Sequence, residues 1–310
     1  MSASGNIRIG ISGWRYEGWR GDFYPPGLVQ RRELEYACER FNSIELNGTF
    51  YSFQSPKSFQ GWYEETPKGF VFSVKGSRFL THLRRLQQVE IPLANFFAQG
   101  LLALKEKLGP ILWQLPPNFK YDPGRLDSFF SLLPRTHKEA ANLARQHDER
   151  VDGRCWFDVQ KDRPLRHAIE IRNDTFAGEE YIALLRKHQI ASVVADTVEW
   201  PLLMDVTADF VYCRLHGSEV LYASGYDRDA IDSWARRVIT WSQGREASDG
   251  KRASATSAAA TAARDVYVYF DNDAKVRAPF DAMALRKHVS ELQIGAEPTT
   301  RRTTRSPKAR

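Results

Sequence analysis

Eight short apolar segments, separated by stretches long enough for a helix, limit the folds that this chain can adopt. They are IRIGISGW, FNSIELNGTF, FVFSVKGS, GPILWQLPP, HAIEIRND, IASVVADT, FVYCRLHG and VYVYFDND, and they begin at residues 7, 41, 70, 109, 167, 190, 210 and 266. Several of the connecting stretches have the periodicity of amphipathic helices. Buried parallel strands that alternate with helices are typical of α/β proteins, and eight such units predict a single (β/α)8 TIM barrel.

The barrel is expected to span residues 7–294, after a short N-terminal extension at 1–6. A low-complexity segment at about 246–264 has no large apolar side chains, which predicts a flexible loop. Residues 295–310 are expected to form a disordered basic tail. After Glu297 this tail holds five basic residues and no acid, and without those five charges the net charge of +6 falls to +1, so the remainder is close to neutral. Binding of nucleic acid by the barrel itself is therefore a less favoured hypothesis.

The cysteines and the terminal sequence indicate where the chain works. Cys38, Cys155 and Cys213 lie far apart and match neither a disulfide framework nor a zinc knuckle, so we expect a reducing cytoplasm. No apolar stretch approaches the roughly 20 residues of a membrane span, and no signal peptide is visible. The glycine-rich turn at residues 10–13 is neither a P-loop nor a dinucleotide fingerprint, so no cofactor is predicted.

Polar side chains gather where the predicted strands end. In a TIM barrel the carboxyl ends of the strands carry the chemistry. The residues found there are Ser12, Glu45, Asn47, Lys75, Gln114, Glu170, Arg172, Asp196, Arg214, His216, Asp271 and Asn272. Because a barrel built only for stability does not need charges at this rim, these residues are the candidate site.

Strand alternation predicts which of these side chains point into the barrel. In FVYCRLHG, Arg214 and His216 share a face with two aromatic residues, whereas Cys213 lies on the apolar face that helices cover. The last strand is ambiguous, because either of its faces could be internal. The same rule assigns to the interior the residues Glu45, Asn47, Ser73, Lys75, Glu170, Arg172 and, beyond Ser192 and Val194, Asp196.

The charges at the rim suggest a binding site for an anion. Lys75, Arg172 and Arg214 would hold a phosphate or carboxylate, because guanidinium groups bind such anions through paired hydrogen bonds. The predicted catalytic groups are the possible bases Glu45, Glu170 and Asp196, together with His216. Predicted to bind substrate beside the cations are Ser12, Trp14, Asn47, Gln114, Asp271 and Asn272. In the alternative interpretation the charges pair with one another and fill the top of the barrel.

Two further features leave alternatives open. The loop after the first strand contains Trp14, Tyr16, Trp19, Phe23 and Tyr24. We favour packing of these rings over the barrel, and the alternative is stacking on a sugar or a base. Carboxylates and a histidine are metal-ligand types, but the neighbouring cations oppose a bound cation, so no catalytic metal is predicted.

The motifs SGWRYEGWRGDFYP, IELNGTFY, FVFSVKGSRFLTH, LWQLPP, AIEIRN, VYCRLHG and YVYFDN resemble those of the YecE-like family, catalogued as domain of unknown function 72. The resemblance covers about residues 7–292 and implies a (β/α)8 barrel, but no established activity. This chain departs from the family pattern at two positions. Asn173 stands where a histidine is frequent, and Asp271 stands where an asparagine is common.

The leading hypothesis for function is a metal-independent hydrolase, lyase or isomerase that acts on a small anionic substrate. The fold alone does not name the reaction. One alternative is a nucleic-acid-binding or endonuclease IV-like barrel that uses the aromatic loop and the basic tail. The other alternative is a protein that binds the same anion without catalysis.

Overall fold

The computed structural model describes residues 4–217 and 219–295 and contains a closed barrel of eight parallel strands. Each strand pairs with the next along the chain, and the first pairs with the last through five residue pairs. The strands are β1 (Ile7–Ser12), β2 (Ser43–Leu46), β3 (Val71–Lys75), β4 (Leu108–Gln114), β5 (His167–Glu170), β6 (Ala191–Asp196), β7 (Phe210–Leu215) and β8 (Asp265–Phe270). The prediction of a single (β/α)8 barrel is confirmed.

Helices follow most of the strands and surround the barrel, whereas residues 197–209, between β6 and β7, contain none. Several helices begin at a side-chain cap, as where Asp122 accepts a hydrogen bond from the amide of Arg125. The helices are α1 (Glu33–Arg40), α2 (Gly48–Tyr51), α3 (Pro56–Glu65), α4 (Glu90–Ala98), α5 (Pro123–Leu132), α6 (His137–Ala144), α7 (Glu179–His188), α8 (Arg228–Ser242) and α9 (Arg277–Gly295).

Strand alternation divides the buried residues into an outer and an inner set. Ile44, Val74 and Ile169 face outward and pack in the large apolar layer between strands and helices. The inner set is small and partly polar. Inside the barrel the Tyr269 hydroxyl lies 2.6 Å from Ser43 Oγ, and the Tyr212 hydroxyl lies 2.7 Å from Ser73 Oγ. The barrel interior therefore already contains hydrogen-bonding groups below the rim.

Two assignments of strand faces are decided by the structure. In β8, Tyr267 and Tyr269 belong to the inner set, which places Asp271 on the inner side of the rim. In β6 the inner residues are Ala191, Val193 and Ala195. The prediction that Asp196 points into the barrel is therefore wrong, because it shares the outer face with Val194.

The low-complexity segment at 246–264 contains neither helix nor strand. It precedes β8, so it lies at the end of the barrel opposite the rim. The Asp205 carboxylate accepts hydrogen bonds from the amides of Ala253 and Ser254, which fixes part of the segment. Its flexibility stays a prediction. The predicted N-terminal extension and basic tail lie outside the described residues at positions 1–3 and 296–310.

None of the described helices is both long and apolar enough to span a membrane.

Candidate functional site

The centre of the rim is an ion network around Arg214, whose side chain is fully buried. Its Nε and Nη2 atoms donate to the two oxygens of Glu45 over 3.1 and 2.9 Å. Nη1 donates to Glu170 over 2.6 Å, and Nη2 also donates to Asp271 over 2.8 Å. One guanidinium group from β7 thus joins three carboxylates from β2, β5 and the end of β8.

The carboxylates of this network are themselves saturated. Glu45 also accepts hydrogen bonds from Ser12 Oγ over 2.8 Å and from the Tyr212 hydroxyl over 2.6 Å. Glu170 accepts from Arg172 Nε over 2.7 Å. Burial would raise the pKa of Glu170, but Arg172 and Arg214 outweigh it, so this pKa is lowered and the carboxylate stays ionised. Glu170 is therefore a poor proton acceptor.

For this network the alternative interpretation holds, in which the charges at the rim pair with one another. Arg214, Glu45 and Glu170 do not line the open cavity at the rim. Burial opposes the charge of Arg214, but Glu170 and Glu45 raise its pKa well above the usual value. These three residues fill the top of the barrel, and they form the floor beneath any ligand.

Above the network lies a cavity of about 550 Å³, which we call the anion cavity. Its volume suits a small ligand. Three cations and two carboxylates are among its lining residues, which are Tyr16, Asn47, Phe50, Tyr51, Lys75, Arg78, His82, Gln114, Arg172, Tyr222, Asp271 and Asp273. Of the carboxylates, Asp271 is already bound to Arg214.

Lys75, the last residue of β3, is the most unusual group in this cavity. It is 8% exposed, and its ammonium group lies 4.4 Å from the centre of the Phe50 ring. This ammonium group forms no hydrogen bond or ion pair with any residue in the described part of the chain. Burial, followed by the charge of Arg214, lowers the pKa of Lys75 to about 8. A buried cation without an anionic partner is costly, so this position is suited to receive an anion.

The main chain holds Lys75 in place. The Thr49 hydroxyl donates to the Lys75 carbonyl over 2.6 Å, and the next amide, from Gly76, donates to the Leu112 carbonyl over 2.7 Å. A Cβ atom at Gly76 would overlap the ring of Trp113. Glycine is therefore required here by the close approach of the two strands.

Arg172 provides the second available cation. Glu170 holds its Nε atom, and its guanidinium group lies 4.2 Å from the centre of the Trp200 ring. Its Nη1 and Nη2 atoms have no hydrogen-bond partner within residues 4–217 and 219–295. The exposed Arg78 stands at the same cavity. Two oriented Nη groups beside the Lys75 ammonium form a donor set that matches a carboxylate or phosphate.

Sequence reasoning missed several titratable residues of this cavity, and two of them, Asp273 and His82, have strongly shifted pKa values. Burial and then the charge of Asp271 raise the pKa of Asp273 to about 6. Burial and then Lys75 lower the pKa of His82 to about 4, so this imidazole is neutral at physiological pH. The alternation rule could have found Asp273, which lies two residues beyond Asp271. Nothing in the local pattern marks His82, which lies on a π-helical turn at Phe79–Leu83.

His216 is fully buried below the cavity and does not line it. Its Nδ1 atom lies 3.3 Å from Asp271 Oδ2, without the geometry of a hydrogen bond. The rings of Trp200 and Tyr222 pack edge-on against it, with centres 5.5 and 5.4 Å away. The predicted proton exchange by His216 therefore needs an opening of this aromatic cover.

Two predicted site residues point away from the cavity. Trp234 Nε1 of α8 donates to Asp196 over 3.2 Å, and burial raises the pKa of this carboxyl group. The Asn272 amide donates to Asp281 of α9 over 2.7 Å. Both therefore fasten the outer helices to the barrel. Asn173, where the family often has a histidine, caps the turn that contains Thr175.

The remaining predicted residues lie around the anion cavity or beside it. Ser12 is part of the ion network, and Gln114 and Asn47 line the cavity. Trp14 lines a neighbouring cleft of about 300 Å³, which we call the aromatic cleft. Its lining residues are Gly13, Trp14, Arg15, Tyr16, Leu46, Asn47, Gly48, Tyr51, Gln54 and Trp62.

The aromatic loop after β1 has two parts. Trp19, Phe23 and Tyr24 are at most 3% exposed and pack against one another, as the favoured interpretation predicted. The Tyr24 hydroxyl donates to the Trp14 carbonyl over 2.5 Å and so fixes the start of the loop. Trp14 and Tyr16 instead form walls of open space, so only these two rings are placed to contact a ligand.

Within the described ranges there is no group of three or more histidine, cysteine, aspartate or glutamate side chains arranged to hold a metal ion. The endonuclease IV-like alternative requires such a histidine-rich cluster. The donors at the anion cavity are cationic nitrogens, which suit an anion instead.

Comparison with known proteins agrees with this architecture. The chain is 31% identical over 121 residues to UPF0759 protein YunF of Bacillus subtilis (strain 168). These residues are 36% of this chain and 41% of YunF, so the match spans about two fifths of that relative.

Two solved structures share the fold. A DUF72 family protein from Thermotoga maritima MSB8 has a TM-score of 0.69 and 23% identity, over 92% of this chain and 99% of that one. Another from Enterococcus faecalis V583 has a TM-score of 0.64 and 15% identity, over 92% and 95%. The family model described as "Protein of unknown function DUF72" matches residues 8–305, which confirms the predicted family. The chain belongs to the DUF72 family.

Proposed function

We propose that this protein is an enzyme that binds a small phosphate- or carboxylate-bearing substrate in the anion cavity and moves a proton on it. The observation that carries the proposal is Lys75, a cation that is 8% exposed, faces the cavity and has no partner among the described residues. Placing an anion there offsets the cost of burying that charge.

Substrate binding in this proposal uses Lys75, Arg172 and Arg78. Glu170 holds Arg172 through Nε, which leaves both Nη groups directed to the ligand. Lys75 then acts as a point charge beside this planar fork. Arg214 stays in the floor of the site and keeps Glu170 in position over 2.6 Å. Arg214 thus contributes to binding only through the network.

Proton transfer in this proposal uses the shifted pKa values of two residues that line the anion cavity. Asp273, whose pKa is raised to about 6, is largely ionised near neutral pH and still a useful base. Lys75, whose pKa is lowered to about 8, is largely protonated under the same conditions and acts as an acid or electrostatic stabiliser. An acid and a base with separated pKa values on one cavity suit a metal-independent isomerase, lyase or hydrolase.

The first test is calorimetric titration of the wild type with inorganic phosphate and with acetate at pH 7. Lys75→Met should weaken binding at least about tenfold, or about 1.4 kcal/mol, because it removes a charge-assisted contact. Lys57→Met, at an exposed position of α3, is the matched control and should bind like the wild type. Absence of wild-type binding up to about 10 mM, or equal binding by Lys75→Met, would show the anion site to be wrong.

The second test separates an enzyme from a protein that only binds. A panel of phosphorylated and carboxylated sugars and hydroxy acids is incubated with the protein in D2O and followed by NMR. Deuterium incorporation or product formation is expected for at least one bound compound. Asp273→Asn should bind that compound and lose turnover. Bound compounds that neither exchange nor react would support the alternative of a non-catalytic binding protein.

A further inference from the structure

The anion cavity and the aromatic cleft are neighbouring parts of one depression at the rim. Tyr16, Asn47 and Tyr51 line both of them. Any ligand larger than a simple anion, once held by Lys75 and Arg172, has a direct path past these shared residues into the cleft. What the cleft can accept therefore bears on the rest of the substrate.

The walls of the cleft are suited to a flat ring. Trp14 and Trp62 meet edge to face, with ring centres 5.6 Å apart and planes at 88°. Tyr51 stands at the opening and is 70% exposed, although it is a large aromatic residue. An apolar cavity of about 150 Å³ is enough to bind benzene. The 300 Å³ of this cleft therefore has room for one aromatic ring with substituents.

Two polar atoms of the cleft residues are buried without a partner among the described residues. Trp14, which is 6% exposed, has a buried Nε1 donor with no hydrogen bond, and Asn47 has a buried Oδ1 acceptor with none. Buried polar groups are nearly always satisfied, and an unsatisfied one costs about 1–3 kcal/mol. Both residues line the cleft, and a small shift of either side chain would let a substituted or heteroaromatic ring satisfy this donor or acceptor.

We propose that the substrate is an aryl anion, whose phosphate or carboxylate binds at Lys75 and Arg172 while its aromatic ring binds in the cleft of Trp14, Tyr51 and Trp62. This inference rests on the proposed anion site and names the rest of the ligand. Each ring contact adds apolar burial and stacking to a charge-assisted anchor. The ring contributes affinity and selects among anions that the anchor alone would not distinguish.

The experiment compares matched pairs of probes by calorimetry at pH 7: acetate with benzoate, and methyl phosphate with phenyl phosphate. The aryl member of at least one pair should bind at least about tenfold more tightly than its methyl counterpart, and the pair that responds identifies the anion. Trp62→Ala should reduce this advantage at least about threefold, because Trp62 lines the cleft but not the cavity. Affinity for the methyl compound should not change.

Two further variants protect the test. Trp156→Ala removes a similarly half-buried tryptophan that does not line the cleft and should keep the full aryl advantage. Tyr51→Ala changes an exposed side chain, so it folds even if Trp62→Ala does not, and it should also reduce the advantage. Binding of the methyl anions without an aryl advantage would overturn the ring site and leave the anion site standing. Absence of binding by all four probes would overturn the proposed function itself. An aryl advantage that survives in both cleft variants would place the ring elsewhere.

Discussion

Arg214 and Lys75 are both buried cations at the rim of the barrel, yet their surroundings are opposite. Arg214 donates to three carboxylates at distances of 2.6–3.1 Å. Lys75 has an aromatic ring at 4.4 Å and no carboxylate within ion-pair distance among the described residues. Arg214 is balanced by direct ion pairs, whereas Lys75 has none among the described residues. The polar rim therefore divides into a paired floor and an unpaired wall, at which we propose that the anion binds.

The largest effect, a loss of stability, should come from removing the guanidinium group at the centre of the floor. Arg214→Met leaves Glu45 buried without a cation and Glu170 with Arg172 alone, so it should lower the free energy of unfolding by about 3–5 kcal/mol. Lys75→Met removes a cation without a partner and should change it by less than about 1 kcal/mol in the destabilising direction, or stabilise the protein. Urea denaturation of both variants measures the difference. An equal loss of unfolding free energy in the two variants would contradict the distinction between a paired Arg214 and an unpaired Lys75.

The next effect concerns pH and isolates the charge of Lys75. Its pKa is lowered from 10.5 to about 8 on folding, so the folded protein binds fewer protons than the unfolded chain between these values. The stability contributed by neutral Lys75 is present above pH 10.5 and is lost as the pH falls through 8. Relative to Lys75→Met, the unfolding free energy of the wild type should rise by about 3 kcal/mol between pH 7.5 and 10.5. A flat difference across this range would contradict the shifted pKa.

A smaller effect should follow from Asp271→Asn, which replaces the acid with the residue common in the family. Removing one negative charge from the cavity wall should increase the affinity for inorganic phosphate roughly three- to tenfold at low salt. Arg214 keeps its bonds to Glu45 and Glu170, so thermal unfolding should show a modest loss of stability. Unchanged affinity would indicate that the charge of Arg214 already cancels the repulsion between Asp271 and the bound phosphate.

The smallest effect is expected from truncation after Gly295. The removed residues are basic and have little apolar surface to bury, so the unfolding free energy should change by less than about 0.5 kcal/mol. Phosphate affinity should also stay the same. A loss of either property would mean that the tail contributes to the wall or to the floor.

The sequence predicted the fold and most strand faces because most strands carry a clear contrast between their two sides. In β7, Val211, Cys213 and Leu215 form an apolar face that only helices can cover, so the inward direction of Arg214 follows at once. In β6 the two faces contrast little, and the alternation rule assigns to the interior the face of Ser192, Val194 and Asp196, which lies outward instead. The actual partner of Asp196 is Trp234 of α8, which no local pattern connects to it.

The sequence could not predict which rim charges are paired in the floor and which are unpaired in the wall, for a related reason. Arg214 is saturated because barrel closure brings Glu45, Glu170 and Asp271 around it from three other parts of the chain. The sequence shows the same set of charges but not which oxygen meets which nitrogen. Asp273 was within reach of the alternation rule, whereas its raised pKa depends on burial beside Asp271.

The fixed main chain around Lys75 has a consequence for the rate of binding. The Thr49 and Leu112 hydrogen bonds and the close packing at Gly76 hold the main chain at Lys75, so its side chain is the part best able to adjust to a ligand. Side-chain rotamers exchange within nanoseconds, whereas loop closure takes microseconds or longer. An anion arriving at this wall therefore meets its first contact without waiting for a rearrangement of the backbone. Association at this wall should be limited by diffusion and charge screening, so its rate should fall as ionic strength rises.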